Sequence, residues 1–534
     1  MQAAAEAAAP PAADAAVLTA IRAAPSADEC LSAESAAESP LADEPWRRAF
    51  RALASDSTFV EGGFGKAAFK LEERWPFAVS SYTMADVERD VTRMPPQFVA
   101  SGVRHQGGIY NQPFQPGFGF PDVDARMDSA TVVLLNAGFC IPKLAAVSLA
   151  MLEVTRLPIW MNVYLSKPGL ATSTQLHTDT QDVLLVQSTG RKRWRVYRPP
   201  PPNTTPAYDP FARGKGVDHM EFVEADLLLD TVMEPGQVLY IPAGFPHTTD
   251  TILEPVEDAV ASQPSVHLTV GVDTHLWSLS YAHLRQLALA RKGMPPTLAD
   301  GASVTTLPLP RWALLHAPLP VGFLAAQHGA VGAADEEGAA LGAARAAKAA
   351  EASVERAEAG APRKVAKEAA IGARKAAKEA AATAASAAKQ PTAIEHEQRL
   401  CEAISASLAA RMLAAEPERW AAHDAPALAA ELELRDAARR MLRHHREVLG
   451  VQADMYLRAT FEEPATPQAL RAFTNAMMAD MDTLDAHTAS LGSWAAGEEE
   501  AAKPAGFGGG GGMGAGAKKG AAGKKKPSAK KKRK

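Results

Sequence analysis

The chain has 534 residues, a mass of 56.4 kDa and a formal net charge of −5. Apolar residues make up 47% and aromatics only 6%. Much of the apolar share is alanine, which buries little surface, so the core is smaller than that share suggests. No run of 18 or more apolar residues is present, which argues against a membrane-spanning helix. Cys30, Cys140 and Cys401 lie too far apart for a disulfide framework or a cysteine-based zinc cluster, and fit a reducing compartment. The charge is uneven. Residues 518–534 hold ten Lys/Arg and no acid, leaving 46 basic against 61 acidic residues elsewhere. An acidic body of this kind does not read as a nucleic-acid binder, whereas its tail reads as a detachable basic element.

Taken in chain order, residues 1–45 are alanine-rich with scattered acids and a single Arg. They lack both a secretory and a transit signature and are expected to be disordered. From Pro45-Trp46 to about residue 292 lie most of the aromatics and the β-type runs. Met84–Arg93 predicts a helix packed outside the barrel. Predicted strands are Thr131–Leu135, Ile159–Leu165, Asp182–Gln187, Arg193–Arg198, Gln237–Pro242 and Ser265–Gly271. With no long helix predicted between them, they suggest an antiparallel barrel or sandwich. Leu276–Ala290 predicts a helix after the last strand, and 293–340 is a connecting segment. Residues 341–390 contain 23 alanines and almost no large apolar side chain, so an exposed helix or a disordered insertion is expected, with a basic partner-binding arm as the functional reading. Residues 393–492 predict a helical domain from Glu395–Ala414, Pro426–Leu449 and Pro467–Leu491, either a bundle or a dimerisation element. Residues 493–534 are a glycine-rich linker and a polybasic tail.

The chemistry-bearing stretch is His177-Thr178-Asp179, with His247 seventy positions later. Two imidazoles and one carboxylate that leave coordination positions open are the ligand set of non-haem Fe(II) oxygenases. In a strand, alternate residues share a face, which would send His177 and Asp179 into one cavity. His247, in a Pro-Ala-Gly-Phe-Pro-His loop at a strand end, would supply the third ligand. On the bare motif alone, a hydrogen-bonded pair in the barrel wall is the preferred reading.

The segment Gln175–Tyr197, with His177-Thr-Asp179 and Gly190-Arg-Lys-Arg-Trp-Arg-Val-Tyr197, resembles the core of the JmjC ribosomal oxygenases, cupin-type protein-histidyl hydroxylases. Glu234–His247 is similar to their third-ligand segment, Ser265–Val270 to the strand after it, and Asn162-Val-Tyr164 to the strand before the triad. The resemblance covers about 110 residues in the same order. It implies a mainly β catalytic core over 46–292, a double-stranded β-helix of the cupin/JmjC barrel type with flanking helices and an α-helical C-terminal region. It further implies that His177, Asp179 and His247 bind Fe(II), that Lys192 pairs with the distal carboxylate of 2-oxoglutarate, and that Asn162, Tyr164 and Thr269 line the same pocket. The implied activity is hydroxylation of a protein side chain, a histidine of a ribosomal protein. Other readings are a histone lysine demethylase or a tRNA-base hydroxylase using the same site, and a non-catalytic cupin-like scaffold.

Lys192 also reads as part of a solvated turn, and Asn162, Tyr164 and Thr269 as satisfied interior residues. Trp194 and Tyr197 read as core, and His267 and His275 as packed or capping histidines. His444 and His445 are adjacent on a helix and cannot share one ion. Gly62–Ala67 lacks the spacing of a phosphate loop and reads as a turn. The tail, Lys524–Lys534, fits a nuclear or nucleolar localisation signal with weak RNA or ribosome contact; a cytoplasmic location is the runner-up. Expected partners are the protein substrate and a second copy of the chain, with no membrane.

Overall fold

The computed structural model describes residues 44–105, 108–199, 211, 224–328 and 392–461. The expectations for residues 1–43, 341–390, Pro467–Leu491 and 493–534 lie outside the described residues. Twelve strands follow in chain order: β1 Phe69–Lys70, β2 Val99–His105, β3 Gly108–Pro113, β4 Val132–Leu134, β5 Ile159–Ser166, β6 Thr174–His177, β7 Asp182–Thr189, β8 Lys192–Tyr197, β9 Leu227–Met233, β10 Val238–Ile241, β11 His247–Asp250 and β12 Ser265–Val272. They form an eight-stranded sheet, β1-β10-β7-β12-β5-β4-β2-β3, and a four-stranded sheet, β6-β11-β8-β9, with every pair antiparallel.

Period-two alternation builds the two layers. On β5, Met161, Val163 and Leu165 enter the large core shared with the helices, as do Leu184 and Val186 of β7 and Val266, Leu268 and Val270 of β12. The intervening residues face the small sheet. There Val183 and Leu185 meet Trp194, Val196 and Met233, together with Leu239, Ile241 and Phe245. The predicted barrel is therefore two opposed sheets, and among the described strands no ladder closes one onto the other.

The helix Pro142–Thr155 interrupts the predicted run of strands. It begins with Pro at its first turn, ends at Arg156 in the left-handed region (φ 51), and buries Leu144, Ala145, Val147, Leu149 and Leu152. It packs against both the Glu44–Ser55 and Leu434–Thr460 helices, so it has no polar face and no helical periodicity to read. Arg47 closes the first contact with a buried ion pair to Glu153 at 2.8 Å. The Leu434–Thr460 helix is stitched to the start of β5: the Ile159 N–H donates to Gln452 Oε1 (3.0 Å), while Gln452 Nε2 and the Tyr456 hydroxyl donate to the Ile159 carbonyl (3.1 and 2.8 Å).

The predicted helix Pro426–Leu449 is two helices, Ala425–Glu431 and Leu434–Thr460, because Glu433 adopts φ 50 between them. The helix predicted at Leu276 starts at Tyr281, where Ser280 caps it. The connecting segment carries a short helix, Leu309–His316, which packs against the helices Tyr281–Arg291 and Thr392–Ala415.

The helical end is clamped by a buried bidentate pair, Arg285 to Glu416, with both contacts at 2.6 Å. Arg285 also donates to the carbonyls of Pro296 and Thr297. Glu416→Ala is expected to destabilise the protein by roughly 3–5 kcal/mol, since it leaves a buried guanidinium uncompensated. The double change Arg285→Met with Glu416→Leu should recover most of that loss. Urea unfolding measures both, and a double variant no more stable than Glu416→Ala alone would contradict this account.

Burial also holds several histidines neutral. It lowers His283 and His445 to about 4 and His316 to about 3, and holds His275 well below the usual range, with the repulsion that protonated neighbouring imidazoles would exert as the next cause for His275 and His316. The unfolded chain takes up these protons near pH 6.5 but the native state does not, so stability is lost as pH falls from about 6.5 toward 4. Each histidine adds a slope of about 1.4 kcal/mol per pH unit in that window. Urea midpoints at pH 7.5, 6 and 5 should fall steeply, and a flat series would show that these imidazoles are not held neutral.

Candidate metal and cosubstrate site

His177 ends β6 and His247 begins β11, and the two are direct cross-strand partners. Their rings lie 4.3 Å apart, centroid to centroid. Asp179 is not on the strand, as the alternation argument expected. The strand ends at His177 and the carboxylate comes from the turn leading into β7. That turn is held by the Gly244 N–H, which donates to the Asp179 carbonyl at 2.8 Å. The geometry nevertheless converges. His177 Nε2 is 3.9 Å from Asp179 Oδ1, His247 Nε2 is 3.5 Å from Asp179 Oδ2, and one ligand atom from each residue lies within 4.8 Å of the others.

The imidazoles are also set in tautomer. His177 Nδ1 donates to the Gln175 carbonyl (2.8 Å), and His247 Nδ1 donates to the Phe245 carbonyl (3.0 Å). Each Nε2 is then the lone-pair nitrogen turned toward the carboxylate. No other group of three such side chains comes together among the described residues.

Behind the triad the inter-sheet space turns polar. Lys192, the first residue of β8, is 0% exposed, and its ammonium donates to Ser166 Oγ at 3.0 Å. Ser166 Oγ in turn lies 2.9 Å from Thr131 Oγ1. β11 lies between the triad strand and β8, so Lys192 is two strands from the His-x-Asp motif, not beside it. No carboxylate among the described residues pairs with Lys192. Burial pulls its pKa down to about 7, partly offset by the more distant Asp250. Along β8, Lys192 lies four residues below Val196, the partner of His247, a span of about 13 Å. That leaves room for a five-carbon diacid between ammonium and triad.

The other predicted pocket residues share this layer. On β5 and β12, Asn162 pairs with Thr269 and Tyr164 with His267. Asn162 Oδ1 accepts from the Asn136 N–H at 2.9 Å, and its side chain also bonds the Tyr164 hydroxyl. Burial, with Asp179 nearby, raises Tyr164 so that it stays protonated. Thr269 Oγ1 is buried without a hydrogen-bond partner among the described residues.

His267 and Trp194, read from the sequence as packed, are packed, but in this same space. His267 stacks on Tyr164 at 5.0 Å and meets Trp194 edge-on at 5.4 Å, while both imidazole nitrogens and the indole Nε1 have no hydrogen-bond partner among the described residues. The sequence signal was a polar residue at every second position of β12, His267 then Thr269. Burial, then the Lys192 charge, keeps His267 well below its usual pKa. A buried unpaired cation beside orphaned hydroxyl, indole and imidazole groups suits a carboxylate ligand, because each unsatisfied group is otherwise costly. The nitrogen and oxygen donors of the triad, with an open side, suit Fe(II).

Comparison with known proteins agrees. Residues 140–278, about a quarter of the chain, match the JmjC domain family. Over 196 residues the chain is 29% identical to a bifunctional lysine-specific demethylase and histidyl-hydroxylase NO66 of Drosophila mojavensis, covering 37% of this chain and 20% of that protein. Over 113 residues it is 36% identical to ribosomal oxygenase 1 of Homo sapiens, covering 21% of this chain and 15% of the relative. The matched part thus spans a fifth or less of these relatives. Among solved structures, the ribosomal oxygenase YcfD of Escherichia coli in complex with cobalt and 2-oxoglutarate is 17% identical, with 44% of this chain and 55% of that one covered and a TM-score of 0.28. The chain contains a JmjC domain, and its convergent histidines and aspartate lie within it.

Proposed function

We propose that this chain is an Fe(II)- and 2-oxoglutarate-dependent dioxygenase that hydroxylates a protein side chain, a histidine of a ribosomal protein. The observation that carries this reading is the His177, Asp179 and His247 cluster above a buried lysine that no carboxylate among the described residues neutralises. His177, Asp179 and His247 would hold the metal. Lys192, aided by Ser166, would hold the distal carboxylate of 2-oxoglutarate, and Thr269, Tyr164 and Asn162 would line its flank. When bound, iron and 2-oxoglutarate supply the oxidising chemistry: dioxygen gives one oxygen atom to the substrate C–H bond and the other to succinate as carbon dioxide is lost. The protein's own part is positional. Backbone carbonyls fix both ring tautomers, Lys192 sets the depth of the diacid, and the apolar cluster around Trp194, Val196 and Leu185 keeps the floor dry.

The test is mass spectrometry of ribosomal proteins incubated with the purified chain, Fe(II) and 2-oxoglutarate. Gain of one oxygen on a histidine, matched by succinate, supports the reading. Loss of a methylene from a methyl-lysine would favour demethylation, the second activity in the name of the Drosophila relative. Absence of succinate across candidate substrates would favour a binding scaffold. The basic tail supports a nuclear location, with the substrate and weak ribosome contact there. No helix among the described residues is long and apolar enough to cross a membrane.

A further inference from the structure

One short loop, Pro242–Pro246, orients two of the three candidate ligands. The Gly244 N–H holds the Asp179 carbonyl at 2.8 Å, and the Phe245 carbonyl accepts from His247 Nδ1 at 3.0 Å. The loop is braced from one side by Asp182, whose carboxylate accepts from the Ala243 N–H at 3.4 Å and the Tyr240 hydroxyl at 2.6 Å. A second brace comes from Phe211, a buried residue of the connection between β8 and β9. A Cβ built on Gly244 would lie 3.1 Å from Phe211 Cδ1, so the ring rests directly on the Gly244 backbone. Gly244 adopts φ 78, the left-handed region, and its missing side chain is what lets the ring come this close. Phe211 is itself wedged. It stacks on His275 with centroids 4.1 Å apart, and lies 5.3 Å from Trp312 and 5.6 Å from His316 on the Leu309–His316 helix.

We infer that Phe211 is a positioning residue for the metal site, pressing the Pro242–Pro246 loop into the arrangement that aims Asp179 and His247 at one point. The inference rests on the metal-site reading above. Packed side chains of this kind have few alternative arrangements, so a rigid wedge against a ligand-bearing loop transmits its position to the ligands. Removing the ring leaves a cavity beside Gly244 and frees the loop to relax away from the triad.

The experiment is a Co(II) titration of the full-length chain, read by visible absorption without 2-oxoglutarate or substrate, at a temperature where circular dichroism shows each variant folded. The series is wild type, Phe211→Leu, Phe211→Val and Phe211→Ala, with Met441→Ala as a core truncation in the helical end. Co(II) affinity is expected to fall in that order, by about 10- to 100-fold at alanine. Leucine should stay within about threefold of wild type, and Met441→Ala should match wild type. If the alanine variant does not fold, the leucine and valine steps decide. A flat Phe211 series, or an equal loss in Met441→Ala, would overturn the wedge. Failure of wild type to take up Co(II) would instead overturn the metal site itself.

Discussion

His177→Ala is expected to abolish stoichiometric iron binding and to lower turnover by on the order of a thousandfold or more, because the ion loses one of three ligands and its fixed orientation. His177 Nε2 is 3.9 Å from Asp179 and its ring 4.3 Å from His247, so the remaining two groups cannot enclose an ion without it. The backbone should hardly notice, since β6 is a short strand whose residues are only half-buried. Metal analysis of the purified variant together with succinate formation checks the prediction. An active, iron-replete His177→Ala protein would remove His177 from the site, and with it the proposed chemistry.

Lys192→Met is expected to raise the 2-oxoglutarate requirement by about a hundredfold or more while iron remains bound, since one carboxylate of the diacid would then be buried without a counter-charge. The same change should leave the ligand-free protein as stable as before or more so, because it removes a buried cation held only by Ser166 among the described hydrogen bonds. The pH dependence has a definite sign. Lys192 is lowered to about 7 in the folded state. The unfolded chain holds that proton up to about pH 10.4, so unfolded molecules bind more protons between those values. The stability of the ligand-free wild type should therefore rise as pH increases from about 7 toward 10, by a few kcal/mol at most. Saturating 2-oxoglutarate should suppress the rise, and Lys192→Met should lack it. Titrations of 2-oxoglutarate and urea unfolding at several pH values measure both arms. An unchanged cosubstrate requirement in Lys192→Met would move the anchor elsewhere.

The surroundings of His177 and of Lys192 are unequally legible in the amino-acid sequence. Six strands were legible because each carries a run of Val, Ile, Leu or Tyr bounded by turn residues, as in Asp182–Thr189 and Ser265–Val272. The strands that carry His177 and His247 were not. Thr174–His177 and His247–Asp250 are four-residue polar strands, held by their neighbours and not by their own apolar pattern. The helix Pro142–Thr155 was hidden for the opposite reason, being apolar on nearly every side. Lys192 was legible as a candidate through the Gly-Arg-Lys-Arg-Trp segment. Its full burial, unusual for a lysine, is a property of the opposed sheets.

The amino-acid order alone determined the ligand types, their spacing and the strong β character of the central part, because these depend on side-chain chemistry and local periodicity. Tertiary structure decided how they meet. Asp179 reaches the histidines from a turn pinned by Gly244, His267 meets Tyr164 and Trp194 between the sheets, and Phe211 rests on Gly244 from a distant stretch of chain. Each of these is a contact between residues far apart in sequence. Such contacts are set by how two sheets and a helix pack together, which no local pattern encodes.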